Sequence, residues 1–213
     1  MKTFPTADPP DLEKPVRSRI LGAAFSAFTE RGYAGTSTLD IATRAKVSKR
    51  DLYANFGSKQ AMLLACIKSR AERMRLPADL PLPRDREMLS ATLTAFAATL
   101  LREGSHPAVV AMFRLATAEA RRAPEVAQIF EETGRAATRR ALADLIAGAQ
   151  KGGVIGAGEP TEMATLFLAL LWEGLLVSLL LGVAAAPGPA EIAQRAQKAA
   201  AAFLRLFPAP APE

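Results

Sequence analysis

The sequence predicts an all-α protein, and three observations predict it. Of 213 residues, 44 are Ala, which costs little side-chain entropy in a helix and is depleted from sheets. Apolar residues recur every three or four positions along most of the chain, and no alternating run is long enough for a strand. Proline and glycine fall between the periodic stretches, where they end one helix or start the next. The expected architecture is about nine helices: an N-terminal group of three, then a larger helical domain.

In chain order, residues 1–13 carry Pro5, Pro9 and Pro10 and no apolar stretch, so they are expected to be a disordered tail without an export signal. The first helix starts near Pro15 and buries Val16, Ile20, Ala24 and Phe28, with Gly32 ending it. Ser37-Thr38-Leu39-Asp40 has the capping-box spacing and starts a short helix to Ala45 that is expected to bury Leu39, Ile41 and Ala42. Ser48-Lys49-Arg50-Asp51 repeats the spacing and starts a third helix to about Asn55, burying Leu52 and Phe56. A fourth runs from Ser58 to about Arg75, and Pro77, Pro81 and Pro83 break the chain after it. Further helices are expected at 84–103, 107–120, 124–150, 160–184 and 189–207, and the Pro-rich end, 208–213, is expected to be a second tail.

Charge and the missing metal ligands narrow the function. The formal net charge is +6, but residues 1–75 carry 14 basic and 7 acidic side chains, whereas residues 76–213 carry 13 and 14. The basic character therefore belongs to the first third, as in a segment that meets a polyanion. One cysteine, Cys66, and one histidine, His106, exclude a disulfide framework and cannot fill a structural zinc site. No glycine-rich phosphate loop, nucleophile elbow or metal cluster points to an enzyme, and no cofactor is expected. With the single cysteine, the absence of an export signal predicts a cytoplasmic protein.

Two short capped helices joined by a three-residue link and braced by a longer one are the plan of a helix-turn-helix, here residues 14–57. Its second helix fits the DNA major groove and opens with Lys49 and Arg50. Arg50 can donate two bonds to guanine and Asn55 can pair with adenine, while Lys49 suits a base or a phosphate. Tyr53 and Lys59 suit phosphate, and so do the hydroxyls of Ser37 and Thr38 at a helix N-terminus. Ser37 and Ser48 are also caps, and Asp51 reads as the acid of a capping box.

Residues 15–64 resemble the DNA-binding domain of the TetR family of bacterial regulators. The resemblance rests on Ile20-Leu-x-Ala-Ala-x-x-x-Phe28-x-Glu-Arg-Gly-Tyr33, on TSTLDIA from Thr36 to Ala42, and on Ala45-Lys-Val47-Ser48-Lys49. Leu52-Tyr53-x-x-Phe56 and Ser58-Lys59-x-x-Met62-Leu63 complete it. Arg50-Asp51 and Ala54-Asn55 depart from the family pattern at positions that bear on base preference. The resemblance implies nine or ten helices, a homodimer whose last two helices form a four-helix bundle with their mates, and an effector-binding domain, here residues 58–207.

The second domain contains the most apolar run, Ala164 to Val183, whose only charge is Glu173. Its length suits a transmembrane helix, which would make a membrane-tethered DNA-binding protein spanning at 164–183. Glu173 at the midplane and the acidic flank at Glu159 and Glu162 argue instead for a buried helix at a subunit interface, with no membrane partner. The expected partners are thus double-stranded DNA, a second copy through helices 160–184 and 189–207, and an unknown small effector. Met88, Phe96, Met112, Phe113, Phe130, Phe167 and Trp172 are candidates to line a largely apolar effector pocket. Glu173 is expected either to pair with a positive group across the dimer or to recognise the effector. The expected function is a repressor released from a palindromic operator by that effector.

Overall fold

A computed structural model describes residues 15–75 and 81–210. The expected N-terminal tail lies outside the described residues, as do 76–80 and the last three residues of the C-terminal tail. Among the described residues there are helices and no strands. The helices are α1 (Val16–Gly35), α2 (Thr38–Ala45), α3 (Lys49–Phe56), α4 (Lys59–Ala71), α5 (Arg86–Gly104) and α6 (Pro107–Glu119), then α7 (Pro124–Phe130), α8 (Ala136–Lys151), α9 (Pro160–Trp172), α10 (Leu175–Leu181) and α11 (Pro189–Leu206).

Two of the nine expected segments are interrupted. The segment 124–150 is α7, a π-helical turn at Glu131–Arg135, and α8. The segment 160–184 breaks at Glu173 (φ 42°) and Gly174 (φ 83°), both left-handed, and α9 and α10 meet at 56°. Residues of left-handed backbone cannot continue a right-handed helix, and Gly174 lacks the Cβ that penalises it. No single helix among the described residues is long and apolar enough to cross a membrane, although the bent pair has the length and composition.

The chain divides into two compact units. Among the described residues, the first comprises 15–69 together with 111–133. Its core joins Ile20, Ala24 and Phe28 of α1 to Ile41, Leu52 and Phe56, to Met62, Leu63 and Ile67 of α4, and to Leu115, Ala116, Val126 and Phe130. The packing unit is therefore larger than the expected 14–57 segment, because α2 and α3 are too short to enclose a core with α1 alone.

Among the described residues, the second unit comprises 70–75, 81–110 and 134–210. Here α11 packs on α5 and α9, and α8 packs on α9. Ala196, Ala199 and Ala200 let α11 approach closely, and Phe203 meets Phe167 edge-on at 5.5 Å. Arg86 donates to the carbonyls of Leu204 and Phe207, satisfying the C-terminal end of α11 with a charged donor.

Candidate nucleic-acid interface

The site begins with the caps that start two short helices. Ser37 Oγ accepts from Asp40 N at 3.1 Å and opens α2. The Asp40 carboxylate does not return the bond but pairs with Arg31 and Arg44, each at 3.2 Å. At α3 the capping box is complete: Ser48 Oγ accepts from Asp51 N at 3.0 Å, and the Asp51 carboxylate accepts from the Ser48 hydroxyl (2.6 Å) and amide (3.3 Å). The Ser48 hydroxyl, then its backbone N–H, hold the Asp51 carboxyl below its ordinary value. Between the helices Lys46 takes the left-handed conformation (φ 52°), and the amides of Lys46 and Val47 bond to the carbonyls of Thr43 and Ala42. This turn sets the angle at which α3 leaves α2.

The surface of α3 exposes Lys49, Arg50 and Tyr53. The Lys49 ammonium stands 6.0 Å from the centre of the Tyr53 ring, and the Tyr53 hydroxyl lies 3.3 Å from Thr38 Oγ1. Thr38, Lys49 and Tyr53 thus form one connected polar surface across α2 and α3, with Arg50 exposed beside Lys49. Asn55 is half-buried and its amide nitrogen donates to the Asp51 carbonyl at 2.8 Å, within its own helix.

Lys59 has a different environment from the one expected. Its ammonium donates to the carbonyls of Tyr33 (2.9 Å) and Thr36 (3.0 Å) and lies 4.4 Å from the centre of the Tyr33 ring. It ties the α1–α2 turn to the start of α4. Glu119 of α6 adds a second tie. Its carboxylate accepts from Ala34 N at 3.3 Å, and a Cβ on Gly32 (φ 78°) would stand 2.7 Å from the same oxygen. Thr36 closes the turn from inside, donating to the carbonyl of Gly32 at 2.8 Å or of Ala27 at 3.0 Å. Burial, and secondarily the Glu125 charge, pushes the Tyr33 phenol up, so it stays neutral. Glu119 gave no sequence signal, because its partner is a backbone amide 85 residues away in the chain. Arg17 was equally silent: it donates to the Asn55 carbonyl at 3.0 Å and covers the Phe56 ring at 4.4 Å.

Comparison with known proteins gives this geometry its context. Residues 20–66 match the family model for bacterial regulatory proteins of the tetR family. Residues 91–209, more than half of the chain, match the C-terminal domain of AefR-like transcriptional repressors. The chain belongs to the TetR family. Among solved structures, the flavonoid-responsive regulator FrrA is 33% identical with a TM-score of 0.74, covering 92% of this chain and 98% of that one. A TetR regulator from Agrobacterium tumefaciens is 27% identical with a TM-score of 0.75, covering 92% and 96%. The curated regulator HbdR of Aromatoleum sp. (strain CIB) is 40% identical over 60 residues, which are 28% of this chain and 26% of that protein.

The effector candidates of this TetR-family chain are divided between the two units. Met112, Phe113 and Phe130 belong to the core of the first unit, where Phe113 and Phe130 meet edge-on at 4.4 Å. Phe96 and Phe167 are buried in the core of the second, and Met88 is half-exposed. Trp172 packs on Gly104, where an added Cβ would fall 2.7 Å from the indole. The buried candidates thus fall in two separate core clusters. An open groove of about 630 Å³ in the second unit is lined instead by Pro81, Leu82, Pro83, Arg84, Gly148, Lys151 and Gly152. Glu173 is exposed, and Lys198 of the same chain donates to both its oxygens at 2.9 and 3.2 Å. That bond holds the Glu173 carboxyl below its ordinary value. Its cationic partner is intramolecular.

Proposed function

We propose that the protein is a cytoplasmic, homodimeric repressor that binds a palindromic operator and releases it when a small, largely apolar effector binds. The observation that carries this reading is the capped α2–turn–α3 unit, which presents Lys49, Arg50 and Tyr53 on one face of a TetR-family chain. Arg50 reads a base, with guanine the geometric match for its two parallel donors. Lys49 serves a base or a phosphate, and Thr38 and Tyr53 hold phosphate together through their shared hydrogen bond. The Ser37 and Ser48 hydroxyls already accept from cap amides, so their part in phosphate binding lies in the helix N-termini they organise. Asn55 must give up its bond to the Asp51 carbonyl to reach a base. Lys59 acts through the turn it clamps.

Dimerisation accounts for the apolar surface of the second unit, where Leu166, Val177, Leu181 and Val183 are all exposed. A two-fold dimer would place two copies of α3 about 34–36 Å apart, one turn of the duplex. An effector that prefers a different separation lowers operator affinity by shifting the population. The regulator FrrA responds to flavonoids, which makes such molecules the first panel to try.

Selection of duplexes from a randomised library by the purified protein tests the reading. Enrichment of an inverted repeat with half-sites about ten base pairs apart, or a multiple of that, is expected. Enrichment of no sequence over the starting library would overturn it.

A further inference from the structure

Among the described residues of the first unit, three large side chains with apolar surface are exposed: Val16, Leu39 and Tyr53. Two of them flank one residue: Leu39 follows Thr38, whose hydroxyl lies 3.3 Å from that of Tyr53. Leu39 is 63% exposed, although its position in an apolar-rich helix predicts burial. The helical repeat gives the reason. Ile41, Ala42 and Ala45 form the core face of α2, while Leu39 and Thr43 fall away from it and are both exposed. Thr43 turns its hydroxyl inward to the Leu39 carbonyl at 2.9 Å, which leaves Leu39 as the prominent apolar group of that face.

Exposing a leucine forfeits the burial of its methyl groups, and it recovers that burial on a surface that is itself apolar. Base pairs present mainly hydrogen-bonding groups in the major groove, and the prominent apolar group there is the 5-methyl of thymine. We propose that Leu39 is a specificity-determining residue that packs on a thymine 5-methyl group in each operator half-site, next to the base read by α3. The proposal rests on the operator-binding reading above. It adds a second reader, placed on α2, of a different chemistry from Arg50: Arg50 reads by donated hydrogen bonds and Leu39 by burial.

The test uses the full-length protein and a duplex taken from the library selection. Each thymine is replaced in turn by uracil, which removes the methyl and keeps every hydrogen-bonding group. At one thymine in each half-site the wild-type protein loses about three- to fivefold in affinity, the burial of one methyl group. Leu39→Ala binds the thymine and uracil duplexes equally at that position, and Leu39→Met keeps the difference. Circular dichroism checks that both variants fold. An identical uracil profile in wild type and Leu39→Ala, or no thymine preference in either half-site, overturns the proposal while leaving the operator reading intact. Failure of the wild-type protein to select any duplex overturns both.

Discussion

At the residue scale, side chains of one type divide by what already holds them. Arg50 is exposed on α3, whereas the Lys59 ammonium is held by two carbonyls and an aromatic face. Arg50→Ala is expected to flatten base preference at one position of each half-site by about 1–3 kcal/mol, read as the affinity ratio between matched and substituted duplexes. Lys59→Met is expected to leave two carbonyls without their charged donor and to lower stability by about 1–3 kcal/mol in urea. The salt slope of DNA binding should then change by less than the one unit that a direct phosphate contact carries. Asp51 adds a pH dependence. Its folded carboxyl lies below the unfolded value, so its contribution is fully present above the unfolded carboxylate range near pH 4. It is lost as pH falls through the folded value. The Tm gap between wild type and Asp51→Asn should therefore be constant at neutral pH and close on acidification. The caps at Ser37, Ser48 and Asp51 were legible in the sequence because their partners lie three residues away. The ties from Lys59, Glu119 and Arg17 were not, because spacing carries no record of a bond to a distant carbonyl or amide.

At the element scale, the helices that fold on local signals matched expectation closely, and those governed by backbone conformation did not. Helices α2 and α3 start and end within a residue of where capping and periodicity put them. The segment 160–184 looked continuous because it is apolar almost throughout, Glu173 is itself a good helix former, and a lone glycine such as Gly174 inside an apolar run is a weak stop signal. Its break depends on Glu173 adopting φ 42°, beside an ion pair with Lys198 that lies 25 residues further on. Glycine substitutions separate these cases. Gly174→Ala places a Cβ at φ 83° with no steric neighbour, so only the backbone penalty remains, and a loss of about 1 kcal/mol is expected. Gly22→Ala lies inside α1 with equally open space and should gain about 0.5–1 kcal/mol. Equilibrium denaturation of the two variants should give opposite signs, and a shared sign would contradict the assigned backbone.

At the scale of the whole molecule, the motifs of residues 15–64 pointed to the family, and the charge asymmetry agrees with them. The basic third contains the helix-turn-helix, and the apolar run supplies α9 and α10. The effector candidates were less legible, since Met and Phe at helical spacing mark any core, and here they mark two. Leu181, at 72% exposure, offers a test of the proposed subunit interface. Leu181→Glu should sediment as a monomer at micromolar concentration and lose about a hundredfold or more in operator affinity, since each half-site is then bound alone. The most direct test of the central claim is a titration of wild-type protein into a selected palindromic duplex and a shuffled one, by anisotropy at two salt concentrations. Saturation is expected at an even number of protomers per duplex, with a preference for the palindrome of about a thousandfold or more and an affinity that falls steeply with salt. Equal affinity for the palindromic and shuffled duplexes would contradict it.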